Sequence, residues 1–356
     1  MNAREQIEAL LAHDRRGPGT DAERRAARYL ARRLEGLGRD AVVEPFEVWP
    51  AYPLAHLIHA LLAIAGSVVS VYSPLVGTAL VAVAVVLTFG DVSGLFMLTR
   101  RLTGRRASQN VVSAEEGGKP GMLVLVAHYD AGRPPRAFRV FFWSMVAVLV
   151  FSAARLPGLD GPVLTAVQFV PTVLLIVSVP LLVDLALSGA PAGANDNASG
   201  VATVLRLAER YGGALEHFDL NVLFTGSGAL GMRAFLKRHR KELSKERTVF
   251  VNVDEVGTGT VRYSRSHVQL VEICDEIVED DEGAFDAPPV GRRSPGLGYA
   301  GYPAITISCG PALERVDDEA LERAFGFCSE LVERLDAAIG PDLERGGVSA
   351  EPVPSR

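Results

Sequence analysis

Two kinds of hydrophobic pattern alternate along the chain. Residues 48–90 contain no Asp, Glu, Lys or Arg, and Tyr72-Ser73-Pro74 divides that stretch near its middle. Each half has about the 17 to 20 apolar residues that cross the hydrocarbon core of a bilayer. A second greasy region covers 140–154 and 163–183, split by Arg155-Leu156-Pro157-Gly158-Leu159-Asp160-Gly161-Pro162. The pattern predicts two transmembrane helical hairpins, at 51–97 and 138–188, with 140–154 as the short arm. A hairpin enters and returns, so the polar segments around the two pairs share one face of the membrane. Arg100, Arg101, Arg105, Arg106, Arg133, Arg136 and Arg139 flank the spans on that face, against Arg155 alone in the opposite loops. The positive-inside rule then places the polar part in the cytoplasm, on a multi-pass protein of the plasma membrane whose first partner is the lipid bilayer.

With the hairpins removed, helical and strand patterns alternate in the manner of an α/β fold. Short apolar or β-branched runs at 41–48, 109–113, 122–127, 220–225, 248–253 and 304–308 predict buried strands. Helical spacing predicts helices at 21–37, 198–211, 229–242, 267–279 and 317–338. The economical reading is one domain in three pieces, 1–50, 98–137 and 189–340, followed by a loose tail at 341–356. The first fifty residues carry charges throughout, among them Arg4, Glu5, Asp14, Arg15, Arg16, Asp21 and Glu23, and lack the apolar core of a secretory signal. Composition narrows the class further. A hydrophobic content of 48% excludes a disordered chain, and a net charge of −6 without a basic run argues against nucleic acid as a partner. Three scattered cysteines, Cys274, Cys309 and Cys328, make neither a disulfide framework nor a thiolate zinc site.

Candidate chemistry falls where predicted strands end, the edge at which open α/β sheets bind ligands. The run 122–127 leads into His128-Tyr129-Asp130, an imidazole that can ligate a metal while a nearby carboxylate orients its ring. Asn195-Asp196-Asn197-Ala198-Ser199-Gly200 is a polar turn opening a helix, and by itself reads as a helix cap. The run 248–253 ends in Asp254-Glu255-Val256-Gly257.

Taken together, Gly19-Thr20-Asp21, Val126-Ala127-His128-Tyr129-Asp130, Asp196-Asn197-Ala198-Ser199-Gly200-Val201-Ala202, Val251-Asn252-Val253-Asp254 and Gly301-Tyr302-Pro303-Ala304-Ile305 resemble the di-zinc aminopeptidases of the aminopeptidase Y type. That family includes bacterial leucyl aminopeptidases and relatives such as glutamate carboxypeptidase and the transferrin receptor. The resemblance implies a zinc-exopeptidase-like three-layer α/β fold with a mixed central sheet, here interrupted by the two hairpins. It implies that His128 and Asp254 hold one zinc, that Asp196 bridges toward a second, and that Asp130 supports His128 from behind. The family also needs an adjacent glutamate pair, as general base and second-zinc ligand, and a late histidine. This sequence departs there. The matching segment is Thr225-Gly226-Ser227-Gly228, no acid occurs between Asp219 and Glu242, and the last histidine is His267.

Both missing ligands belong to one metal, so the expectation is at most one zinc, no catalytic residue to name and very low peptidase activity. Three substitutes for the base come into view: serine is no base at neutral pH, Glu255 is expected on the strand face opposite Asp254, and His267 on a helix. The main reading is a membrane-anchored, catalytically impaired member of the family, with peptides and a second copy of the chain as the further partners it admits. One alternative is an active metallo-exopeptidase or related amidohydrolase with an unconventional base. Another is a regulatory domain of a membrane transport component.

Overall fold

A computed structural model describes residues 2–13, 15–132, 138–264, 267–280, 301–310 and 314–339. The chain divides into two compact units: Met1–Val48 with Ala107–Gly132 and Ala190–Arg356, and Trp49–Arg106 with Arg133–Gly189. The tail 341–356 and the flanking residues Arg133 and Arg136 lie outside the described residues.

The first unit is built on seven strands: β1 (Val42–Val48), β2 (Arg106–Ser113), β3 (Gly121–His128), β4 (Phe218–Thr225), β5 (Thr248–Val253), β6 (Arg262–Tyr263) and β7 (Ala304–Ser308). Their order across the sheet is β1-β2-β4-β3-β5-β7-β6. The inner strands β4, β3, β5 and β7 are parallel, while β2 on β4 and β6 on β7 run antiparallel, so the sheet is mixed. Sequence dictates the centre. Leu123 to Ala127 are all buried, as expected of a parallel strand covered on both faces. Leu123, Leu125 and Ala127 join a core with α1 (Ala3–Leu11), α2 (Asp21–Glu35), α7 (Gly200–Tyr211), α9 (Val268–Asp280) and α10 (Asp318–Ala338). Val124 and Val126 meet Met232 and Phe235 of α8 (Ala229–Arg238) in the other core. Helices on both faces make the three layers. In α2 the buried Ala22, Ala26, Ala27, Leu30, Ala31 and Leu34 repeat every three or four residues, and Thr20 caps its start by accepting from the Glu23 N–H.

The second unit holds α3 (Tyr52–Tyr72), α4 (Pro74–Ser93), α5 (Phe138–Ala154) and α6 (Pro162–Leu187). Three of these, α3, α4 and α6, are long and apolar enough to cross a membrane, whereas α5 is shorter. The interior of this unit uses small residues such as Ala60, Ala63 and Ala84, while Leu61, Val68, Val86, Phe89, Val150, Phe169, Val170 and Ile176 face outward. Gly66 and Gly77 let α3 and α4 approach so closely that a Cβ at Gly77 would overlap the Ser70 main chain.

Polar side chains also meet inside this unit. Gln168 donates to the Ser67 carbonyl (3.1 Å) and to Ser70 Oγ (2.9 Å), and the buried Arg155 donates to Gln168 (3.0 Å). Toward the other ends of α3 and α4, Asp91 is paired with His56 Nε2 (2.8 Å) and Arg100 Nε (2.6 Å), and His59 bonds Thr99 (2.7 Å) and Thr88 (3.0 Å). The charge pattern does not foretell this pairing, since Asp91 stands at the edge of the apolar run and Arg100 in a basic flank.

Candidate metal centre

β3 and β4 run in parallel with His128 opposite Thr225, so the end of β3 adjoins the segment that leaves β4. Tyr129 fixes this junction: its N–H donates to the Thr225 carbonyl (3.0 Å) and its buried hydroxyl to the Gln109 carbonyl (2.7 Å). His128 is thereby placed at the sheet edge, partly exposed.

The segment 194–199 is more than a helix cap. Asn197 Oδ1 does accept from the Gly200 N–H at the start of α7 (3.0 Å), as a capping side chain should. It also accepts from the Glu255 N–H (3.1 Å), and Asn197 Nδ2 donates to the Val253 carbonyl (2.9 Å). Asn195 reaches Gly257 N–H (2.5 Å) and the Gly310 carbonyl (2.8 Å), and Ser199 Oγ accepts from Val256 N–H (3.1 Å). These cross-links stitch the Asp196 turn to the end of β5 and bring Asp196 beside Asp254. Gly200 is required here because a Cβ would run into the Val253 carbonyl.

His128 Nε2 lies 3.1 Å from Asp196 Oδ1 and 3.2 Å from Asp254 Oδ1. Its Nδ1 is 3.1 Å from the Asp130 carbonyl and 3.4 Å from Asp130 Oδ1. With Nδ1–H donated toward Asp130, the Nε2 lone pair faces the two carboxylates, the tautomer a metal ligand needs. One donor atom from each of His128, Asp196 and Asp254 falls within 4.8 Å of the others, and no other metal-like group of His, Cys, Asp and Glu occurs among the described residues. One imidazole nitrogen and two carboxylates are a donor set that suits a single Zn²⁺. Without a cation between them the same groups favour the imidazolium: burial alone would lower the His128 pKa, but hydrogen bonds to Asp130, Asp196 and Asp254 outweigh it and hold the ring well above its usual value, so a metal would have to displace the Nε2 proton to reach that lone pair.

The segment Thr225-Gly226-Ser227-Gly228 offers this centre no carboxylate. Ser227 sits at φ 52°, and the Gly228 N–H donates to Asp130 Oδ1 (2.8 Å). Behind the segment stands Glu23, which the sequence shows only as one of many charges in the first fifty residues. Glu23 of α2 is fully buried and accepts from Gly19 N–H (2.7 Å), Ser227 N–H (2.9 Å) and Ser108 Oγ (2.9 Å). The signal for it is Thr20-Asp21-Ala22-Glu23, a capping-box spacing whose glutamate reaches past the helix start to a segment some two hundred residues away.

Burial, reinforced by the charge of Asp130, pushes the Glu23 carboxyl up to about 8 against the opposing hydrogen bonds. Its ordinary value is 4.5, so the folded chain holds the extra proton between the two. Stability from the neutral carboxyl is therefore complete below about 4.5 and is lost as pH rises toward about 8. In Glu23→Gln this part of the unfolding-midpoint profile should flatten; a slope equal to that of the parent chain would show that Glu23 does not cause it.

The expected substitutes for the base are corrected in part. β5 ends at Val253, so strand alternation does not govern Glu255, which lies at φ 53° in a turn. His267 stands at the start of α9, where its carbonyl accepts from Val271 N–H (3.0 Å) as the first turn closes.

Residues 110–270 match the profile of Peptidase family M28. Comparison with curated proteins gives no match. Among solved structures the fold resembles a zinc aminopeptidase from Bacillus subtilis, with 14% identity over 94% of each chain and a TM-score of 0.56. A leucine aminopeptidase precursor from Bacteroides thetaiotaomicron has 13% identity over 93% of this chain and 95% of its own, TM-score 0.56. A glutaminyl cyclase from Tannerella forsythia has 16% identity over 93% and 97%, TM-score 0.56. The first unit thus has the mixed-sheet α/β fold of zinc exopeptidases, and zinc is the metal these likenesses imply.

Proposed function

We propose that this chain is a membrane-anchored, zinc-aminopeptidase-like protein that keeps a pocket for one zinc and has lost most of the family's catalytic power. The observation that carries this reading is the convergence of His128, Asp196 and Asp254 beside a Thr225–Gly228 segment that has no carboxylate of its own and bonds at Ser227 to the buried Glu23. Bound zinc would polarise a carbonyl and lower the pKa of a coordinated water. Asp130 orients the His128 ring and, through the Gly228 N–H, holds the neighbouring segment in place. Glu23 is a poor proton shuttle, because its oxygens already accept from Gly19, Ser227 and Ser108 and it has no exposed surface. General acid–base help of the missing kind is worth roughly 10²–10⁴-fold in rate.

Anchoring is supported by the three long apolar helices and by the outward-facing apolar residues of the second unit. Arginine flanks at Arg100, Arg101, Arg105 and Arg106 favour a cytoplasmic first unit.

The test uses the full chain in detergent, loaded with zinc. Elemental analysis should return one zinc per chain, and aminoacyl reporter substrates should turn over at least a hundred-fold more slowly than with an active aminopeptidase. Robust turnover that His128→Ala abolishes would restore the active-enzyme alternative, and two zinc ions would overturn the ligand assignment. Orientation needs an added thiol, because Cys274, Cys309 and Cys328 are all buried. Lys241→Cys, at an exposed site, should resist a membrane-impermeant thiol reagent in intact cells; labelling there would put the first unit outside.

A further inference from the structure

Arg16 is fully buried in the connection between α1 and α2, among the largest side chains with no exposed surface. Its guanidinium donates to three main-chain carbonyls from different parts of the chain: Tyr129 (Nε, 3.0 Å), Leu10 (Nη1, 3.1 Å) and Gly193 (Nη2, 3.2 Å). The Arg16 carbonyl in turn accepts from the Ala131 N–H (2.9 Å). Tyr129 lies between His128 and Asp130, and Gly193 opens the turn that presents Asp196. Gly193 itself, at φ 68°, is wedged so tightly that a Cβ would lie 2.5 Å from the Asp196 carbonyl and 2.8 Å from the Ala131 side chain. One side chain therefore bonds the β3 end that carries His128 and the turn that carries Asp196. The remaining ligand is coupled to that turn by Asn197, through Val253 and Glu255.

We propose that Arg16 is a positioning residue of the metal centre, setting the separation of His128 and Asp196 and through it the affinity for zinc. This rests on the one-zinc reading above. The geometry asks for arginine specifically. A planar fork can point Nε and Nη2 at two carbonyls while Nη1 holds a third, whereas the single ammonium of lysine cannot reproduce that fixed set of directions. Supporting groups behind metal ligands typically change affinity by about 10–100-fold when removed.

The experiment titrates full-length protein in detergent with zinc against a chromophoric chelator, and separately records the d–d spectrum of the cobalt-loaded protein. Arg16→Lys should bind zinc 10–100-fold more weakly and shift the cobalt bands, while the near-UV circular dichroism of the metal-free protein stays that of the parent. Arg16→Gln, which keeps one amide donor but cannot span the Tyr129 and Gly193 carbonyls, should weaken zinc binding in the same direction, and it decides the matter if Arg16→Lys does not fold. Parent-like zinc affinity and cobalt spectrum in a folded Arg16→Lys, or failing that in Arg16→Gln, overturn the proposal. Failure of the parent chain to bind zinc at all would instead overturn the one-zinc reading, and this inference with it.

Discussion

Asp254→Asn and Asp196→Asn are each expected to weaken zinc binding by more than about a hundred-fold, the upper end of what loss of a mere supporting group costs. Each substitution keeps the side-chain shape but removes an anionic donor from a set of three, leaving two ligands for the cation. Asp130→Asn should fall between these variants and the parent, because Asp130 contacts His128 and the Gly228 N–H but is not one of the three donors. Chelator competition at fixed pH checks the order. If Asp196→Asn binds zinc as tightly as the parent, the cation is held elsewhere and the pocket is misassigned.

The largest effect on folding is expected in the second unit. Asp91 is almost completely buried and pairs with both Arg100 and His56. Asp91→Ala removes the anion and leaves a guanidinium in a poorly solvated place, a change worth about 3–5 kcal/mol when a buried pair is broken from one side. Replacing both partners, as in Asp91→Leu with Arg100→Leu, should recover much of that loss, since the penalty comes from the stranded charge. Denaturation in a mild detergent gives the comparison; equal stability of the parent and Asp91→Ala would mean that water reaches the pair.

Much of the α/β unit is legible in the sequence because its central strands are buried on both faces and so read as unbroken apolar runs. The run at 122–127 becomes the middle of β3, and the run at 248–253 becomes β5 with the same limits. Two elements escape for physical reasons. β6 spans two residues, too short for any period to show, and α1 buries little beyond Ile7 and Leu10 among apolar residues of its own. At the candidate metal centre, the three converging side chains follow strand ends or a polar turn, where the sequence points to candidate chemistry, but only the resemblance to zinc aminopeptidases implies that they are ligands. Arg16 and Glu23 are hidden by their type. In a stretch rich in arginine and glutamate they look like solvated surface charges, and only long-range bonds to Gly193 and Ser227 draw them inside. The asparagines at 195 and 197 mislead in another way. Their spacing suits a helix cap, and nothing local announces that their second hydrogen bonds cross to the end of β5.

The second unit interrupts the first twice, at Trp49–Arg106 and at Arg133–Gly189. This has a consequence for biogenesis. Strand β3 pairs with β4 and β5, both of which follow the second interruption, so on a growing chain its two edges stay bare until α6 has been synthesised. Closing such long loops slows assembly. A ribosome therefore delivers all four apolar helices before the sheet's centre can zip up, and the nascent His128 waits for Asp196 and Asp254 until late in translation.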